Sequence, residues 1–149
     1  MSMDTSAGTM SYDRLIREHE AIEALADALA SAARGAAEPE VASKLLGRLA
    51  MAIRDHMAAE EGTLAATLDA ALRNRHHAAA ASAMLDVEYL REDWTAYLYR
   101  WTREGIAADW QRFATETLAI MERIRDRLAR ETGILYSLAL HYRLIAPER

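Results

Sequence analysis

Cysteine is absent from the 149-residue chain. That excludes disulfides, thiolate metal sites and a cysteine nucleophile. Proline occurs twice and glycine six times, so little in the sequence interrupts a helix. No β-branched run alternates with period two, and no strand is predicted. No apolar run approaches the ~18 residues that a membrane helix needs. Positive charge is in deficit, with a formal net charge of −5, which argues against a nucleic-acid partner. The opening MSMDTSAGTMS has neither the basic start nor the apolar run of a signal peptide. It reads as a disordered tail over residues 1–10, and a cytoplasmic location is the expectation.

What remains is rich in alanine, leucine, arginine and glutamate, and 52% of the chain is hydrophobic. The length suits one domain with a substantial core. A first helix is predicted from near Ser11, capped by Ser11 or Asp13 and ended by Gly35. Tyr12, Leu15, His19, Ile22, Ala26, Leu29 and Ala33 recur at alternating spacings of three and four. That pattern is the seam of an antiparallel bundle. A second helix is predicted from Pro39 to Leu72, before Asn74 and the basic cluster of Arg73, Arg75, His76 and His77. A third runs from Ala78 to Arg103 and presents Val87, Leu90, Trp94, Tyr97, Leu98 and Trp101 inward, with Gly105 as its breaker. A fourth begins near Ala107 or Asp109, its inner face carrying Phe113, Ile120, Ile124, Ile134 and Leu138, and continues or kinks past Gly133 towards Ile145. The predicted fold is all-α: an antiparallel up-down-up-down four-helix bundle over residues 11–146.

The chain is organised around His56 to Leu64, HMAAEEGTL. His56 and Glu60 are four residues apart and so lie about 40° apart on one helix face. Leu45, Leu49, Ala52 and Ile53 share that face, so the pair points inward. A carboxylate in an apolar stripe needs a partner, a proton or a metal. A partial copy follows at Arg127 to Leu135, RLARETGIL. There Glu131, Gly133 and Leu135 match Glu60, Gly62 and Leu64, while Arg127 stands where His56 does. The two units suggest a duplicated helical hairpin.

Depth along the bundle tests which residues can meet. At ~1.5 Å per residue, His19 lies about 20 Å before the end of the first helix and His56 about 24 Å into the second. The two can therefore face each other across the bundle. His19, His56, Glu60 and Glu131 are placed inward at one level, the arrangement that builds non-haem metal sites in bundles. His76 and His77 sit at the bundle end, about 20 Å from Glu60, and read as solvated. His141 lies beyond the site and is assigned no role. Trp94, Tyr97 and Trp101 read as core. Tyr89 and Tyr99 point outward as ordinary exposed tyrosines, with a homodimer face as the alternative.

Glu18–His19, then HMAAEEGTL, then ETGILYSLA in the second hairpin resemble the hemerythrin-like (HHE cation-binding) family, from about Tyr12 to Leu140. The resemblance implies an antiparallel four-helix bundle holding an oxo-bridged di-iron centre. It implies reversible dioxygen binding, or sensing of oxygen, nitric oxide or iron, with a small gas as ligand. His19 and His56 match the histidines of one iron, and Glu60 and Glu131 match the bridging carboxylates. The other iron would take histidines from the third and fourth helices. Here those positions are Leu90, Trp94 and Arg127, none of them a ligand. A register slip on the third helix would offer Glu88 or Tyr89, but both fall on its outer side.

A guanidinium at Arg127 can replace the missing cation and pair with both glutamates. Two expectations follow. One is a metal half-site of His19, His56, Glu60 and Glu131 holding one iron ion or another divalent ion. The other is a metal-free bundle that works through protein interaction. With no nucleophile–base pair and no phosphate loop, an enzyme has little support.

Overall fold

The computed structural model describes residues 12–73 and 77–145. The predicted tail, the Ser11 cap and Asn74 to His76 lie outside the described residues, as do the side chains of His77 and Val87.

Helix α1 spans Tyr12–Arg34, α2 Pro39–Leu72 and α3 His77–Arg100. A short α4, Arg103–Ala108, leads into α5, Trp110–Arg130, which continues through a π-helical turn, Glu131–Leu135, into α6, Tyr136–His141. Helix α1 packs against α2 and α5, and α3 packs against the same two helices from the other side. This is the predicted four-helix ring.

The three-four spacing of α1 carries through to packing: Leu15, His19, Ile22, Ala26, Leu29 and Ala33 are all buried. Burying an aliphatic side chain of this size contributes about 1.5–3 kcal/mol. Leu49 and Ile53 of α2, Leu90, Trp94 and Tyr97 of α3, and Phe113, Ile120 and Ile124 of α5 form one core with Ile22, Ala26 and Leu29, while Leu15 packs in a second cluster with Tyr136, Ala139 and Ile145. Tyr89 and Tyr99 are exposed, at 61% and 88%.

Three local expectations are corrected. Asp13 lies within the first turn of α1 instead of capping it, where its charge still suits the helix N-terminus. The third helix ends at Arg100, not Arg103. Gly105 breaks nothing; it lies inside α4, whose cap is Thr102, the side-chain oxygen accepting from the Gly105 N–H at 3.1 Å. A glycine is needed there for closeness: a Cβ on residue 105 would come within 2.6 Å of the Arg100 carbonyl oxygen. Asp109 caps α5 by accepting from the Arg112 N–H.

This geometry separates two glycines that look alike in the sequence. Gly105→Ala should destabilise by about 1–3 kcal/mol, because backbone must move to admit the methyl group. Gly47→Ala, in the middle of α2 with nothing within 4 Å of the added carbon, should stabilise by about 0.5–1 kcal/mol. Urea unfolding of the two variants checks the opposite signs.

Candidate metal centre

His19, His56, Glu60 and Glu131 converge, each at most 4% exposed. One donor atom from each lies within 4.8 Å of all the others. Helix α1 supplies His19, α2 supplies His56 and Glu60 from consecutive turns, and Glu131 opens the π turn after α5. The Nε2 atoms of the two histidines are 3.0 Å apart. His19 Nε2 is 3.0 Å from Glu131 Oε1, and His56 Nε2 is 3.0 Å from Glu60 Oε2.

The far sides of these residues are held as well. His56 donates from Nδ1 to Glu18 Oε1 at 2.5 Å, which turns Nε2 inward; a carboxylate on the outer nitrogen is how metal-binding imidazoles are oriented. His19 Nδ1 has a longer contact, 3.4 Å, with Thr132 Oγ1, whose own proton goes to the Leu128 carbonyl. Arg127, 14% exposed in its side chain, places both Nε and Nη2 2.6 Å from Glu131 Oε2. Its Nη2 is 3.7 Å from Glu60 Oε1, too far for a hydrogen bond. The guanidinium therefore grips one carboxylate closely and only approaches the other. Glu60 Oε1 is buried with no hydrogen-bond partner.

A fifth group went unnoticed in the sequence. Tyr136 is fully buried. Its hydroxyl donates to Glu60 Oε2 at 2.7 Å and lies 2.8 Å from His19 Nε2 and 3.3 Å from His56 Nε2. On a regular α-helix at roughly 100° per residue, Tyr136 would sit about 140° around from Glu131. The π turn changes that phase. It closes i→i+5, as seen where the Tyr136 N–H donates to the Glu131 carbonyl, and so brings residues five apart towards one face.

The positions that the resemblance would assign to a second iron's ligands on α3 carry hydrocarbon. Leu90 and Trp94 are buried, and the alternatives considered for α3, Glu88 and Tyr89, are exposed. A cavity of about 40 Å³ remains between Ile22, Ile53, Leu90, Trp94 and Ile124, with His56, Arg127 and Glu131 along one wall. The residues present fit one cation. The inward Nε2 pair, two buried carboxylates and the orphaned Glu60 oxygen form a donor set, and no second set exists among the described residues around the cavity.

Charge explains how the protein tolerates these buried ions. Burial pulls the His56 pKa down, but the carboxylates of Glu131, Glu60 and Glu18 outweigh it and hold the pKa up at about 10. Burial raises the Glu131 pKa, yet His19, His56 and the Arg127 charge drive it far below the ordinary carboxylate range. Burial first, then the charges of Glu60 and Glu131, push the Tyr136 phenol well above its usual value.

Two outcomes are expected of protein stripped of metal. The raised His56 pKa gives stabilisation that is full below its ordinary 6.5 and fades as pH climbs towards 10. The lowered Glu131 pKa gives stabilisation that is full above the ordinary 4.5 and lost as pH falls. Stability should therefore peak between these values and decline by a few kcal/mol towards pH 10, on the order of one kcal/mol per shifted unit; urea unfolding across pH measures it. Arg127→Leu leaves Glu131 and Glu60 without their guanidinium and should cost about 3 kcal/mol at pH 8. The deficit should shrink at pH 5 as the stranded carboxylates take up protons.

Residues 10–139 match the hemerythrin HHE cation binding domain. Comparison with curated proteins and with solved structures returns no match. The match covers most of the chain, including His19, His56, Glu60, Glu131 and Arg127. Together with the helical bundle and its buried histidine–glutamate cluster, it shows that this chain belongs to the hemerythrin HHE cation-binding family.

Proposed function

We propose that the chain binds a single metal ion, iron foremost, through His19, His56, Glu60 and Glu131. The observation that carries the proposal is the pair of inward Nε2 atoms 3.0 Å apart, beside a buried carboxylate oxygen that nothing satisfies. Two imidazoles and two carboxylates suit iron, and other divalent ions as well. When bound, the ion would supply affinity for a small gas or a redox change. The chain's own residues hold and orient the donors, exclude water and keep the charges balanced. The proposed role is a cytoplasmic response to oxygen, nitric oxide or iron. The cavity beside Arg127 and Glu131 is the proposed seat for a small gas. Among the described residues no helix is long and apolar enough to cross a membrane, and the acidic balance gives nucleic acid no footing.

A second reading has its own observation. Arg127 already neutralises Glu131 through two nitrogens at 2.6 Å, and a protonated His56 neutralises Glu60. A bundle so balanced stands without metal and would act through protein contacts, Tyr89 and Tyr99 of α3 offering a face for a second copy.

Metal analysis separates the two. Protein loaded anaerobically with ferrous iron, desalted and exposed to air should retain one ion per chain and show no oxo-bridged di-iron bands. Retention below about 0.1 ion per chain favours the metal-free bundle, and two tightly held ions with those bands contradict both readings. Arg127→His alone should not add a second ion, because Leu90 and Trp94 still close α3.

A further inference from the structure

We infer that Tyr136 is a fifth ligand, its phenolate oxygen binding the ion held by His19, His56, Glu60 and Glu131. This rests on the single-ion site proposed above.

Three observations carry it. The first is spacing. Donors bound to one ion at ~2.1 Å stand about 3 Å from each other. The Tyr136 oxygen is 2.7 Å from Glu60 Oε2, 2.8 Å from His19 Nε2 and 3.3 Å from His56 Nε2. The two histidine nitrogens are 3.0 Å apart, as are His56 Nε2 and Glu60 Oε2. These are the edges of a coordination polyhedron, and the phenol oxygen stands at a corner of it.

The second is donor arithmetic. A phenol donates one hydrogen bond and can accept from histidine N–H groups, so protons can link the Tyr136 oxygen to its three neighbours within 3.3 Å. They still leave Glu60 Oε1, on the carboxylate that Tyr136 touches, buried with no hydrogen-bond partner. A cation serves all of these lone pairs together.

The third is the backbone. The π turn Glu131–Leu135 is what aims Tyr136 at the site. Such turns are rare and frequent at functional sites. Gly133, with nothing within 4 Å of its missing Cβ, imposes no packing reason for the bulge. What the turn accomplishes is to put Glu131 and Tyr136 on the same donors.

The balance on binding is simple. The ion takes the place of the phenol proton now directed at Glu60 Oε2 and of any proton held on His56 Nε2 or His19 Nε2, and all of these leave to solvent. The phenolate adds a third anion to Glu60 and Glu131, a hard oxygen set that favours a trivalent ion over a divalent one.

Ferric nitrilotriacetate, followed by desalting, tests this without any redox step. Wild-type protein should hold one ferric ion per chain and show a visible tyrosinate-to-iron band, with tyrosinate ring modes enhanced on Raman excitation within it. Tyr136→Phe keeps the ring, so helical content should hold, and the band should vanish. Tyr12→Phe, which removes the hydroxyl of the ring packed edge-on against Tyr136, should keep it. If Tyr136→Phe fails to fold, zinc added to the wild type decides instead, through a near-ultraviolet difference signal for ionised tyrosine. One bound ferric ion with no tyrosinate band would overturn the Tyr136 assignment and leave the four-residue site standing. No bound metal of either kind would overturn both.

Discussion

Two carboxylates buried in the middle of a helical bundle constrain everything around them. Glu60 is fully buried and Glu131 is 1% exposed. Left alone, either would cost several kcal/mol or take up a proton. The chain surrounds them with cationic or proton-donating groups from α1, α2, α5 and α6: His19 and the Glu18-anchored His56, Arg127 and Tyr136. Most of the polar bonds in the interior of this bundle serve that purpose. The apolar seam of α1, α2, α3 and α5 sets the depth at which these groups meet, and the polar cluster sets how they may be protonated.

On the proposed single-ion reading, metal and protons would compete for one set of lone pairs. With protons, His56 is cationic and the cluster is balanced by Arg127. With an ion, His56 loses its Nε2 proton, and affinity should strengthen as pH rises. Arg127 does not sit where the ion would. It grips the outer oxygen of Glu131, Oε2, while Oε1 faces His19. Where the family resemblance implies a second iron, Leu90 and Trp94 stand instead, and the guanidinium holds Glu131 beside them. A cavity of about 40 Å³ separates Leu90 and Trp94 from the wall formed by His56, Arg127 and Glu131.

Regular helices made much of this legible. The span of α2 was readable, because Pro39 opens it, the basic cluster after Leu72 marks its end, and its apolar periodicity runs through Gly47 and Gly62. Constant phase on α1 and α2 then placed His19, His56 and Glu60 together. Arg127 and Glu131 are four apart at the end of α5, and their pairing was legible for the same reason. Tyr136 was not, because the π turn resets the phase five residues earlier, and nothing in ETGIL beyond a mid-helix glycine announces it. Glu18 was visible only as the neighbour of His19. Its role requires knowing that α2 brings the outer nitrogen of His56 against it. Gly105 misled because glycine marks helix ends and close approaches alike, and only the Arg100 carbonyl distinguishes them.

The central claim is that one ion, and only one, belongs between the two histidines. Anomalous X-ray scattering from crystals soaked in ferrous iron, recorded on both sides of the iron edge, tests it most directly. The account predicts a single peak bounded by His19 Nε2, His56 Nε2 and the oxygens of Glu60 and Glu131, with none beside Leu90 and Trp94. A second peak in that apolar cavity, or no peak while Arg127 swings in to reach Glu60, would contradict it.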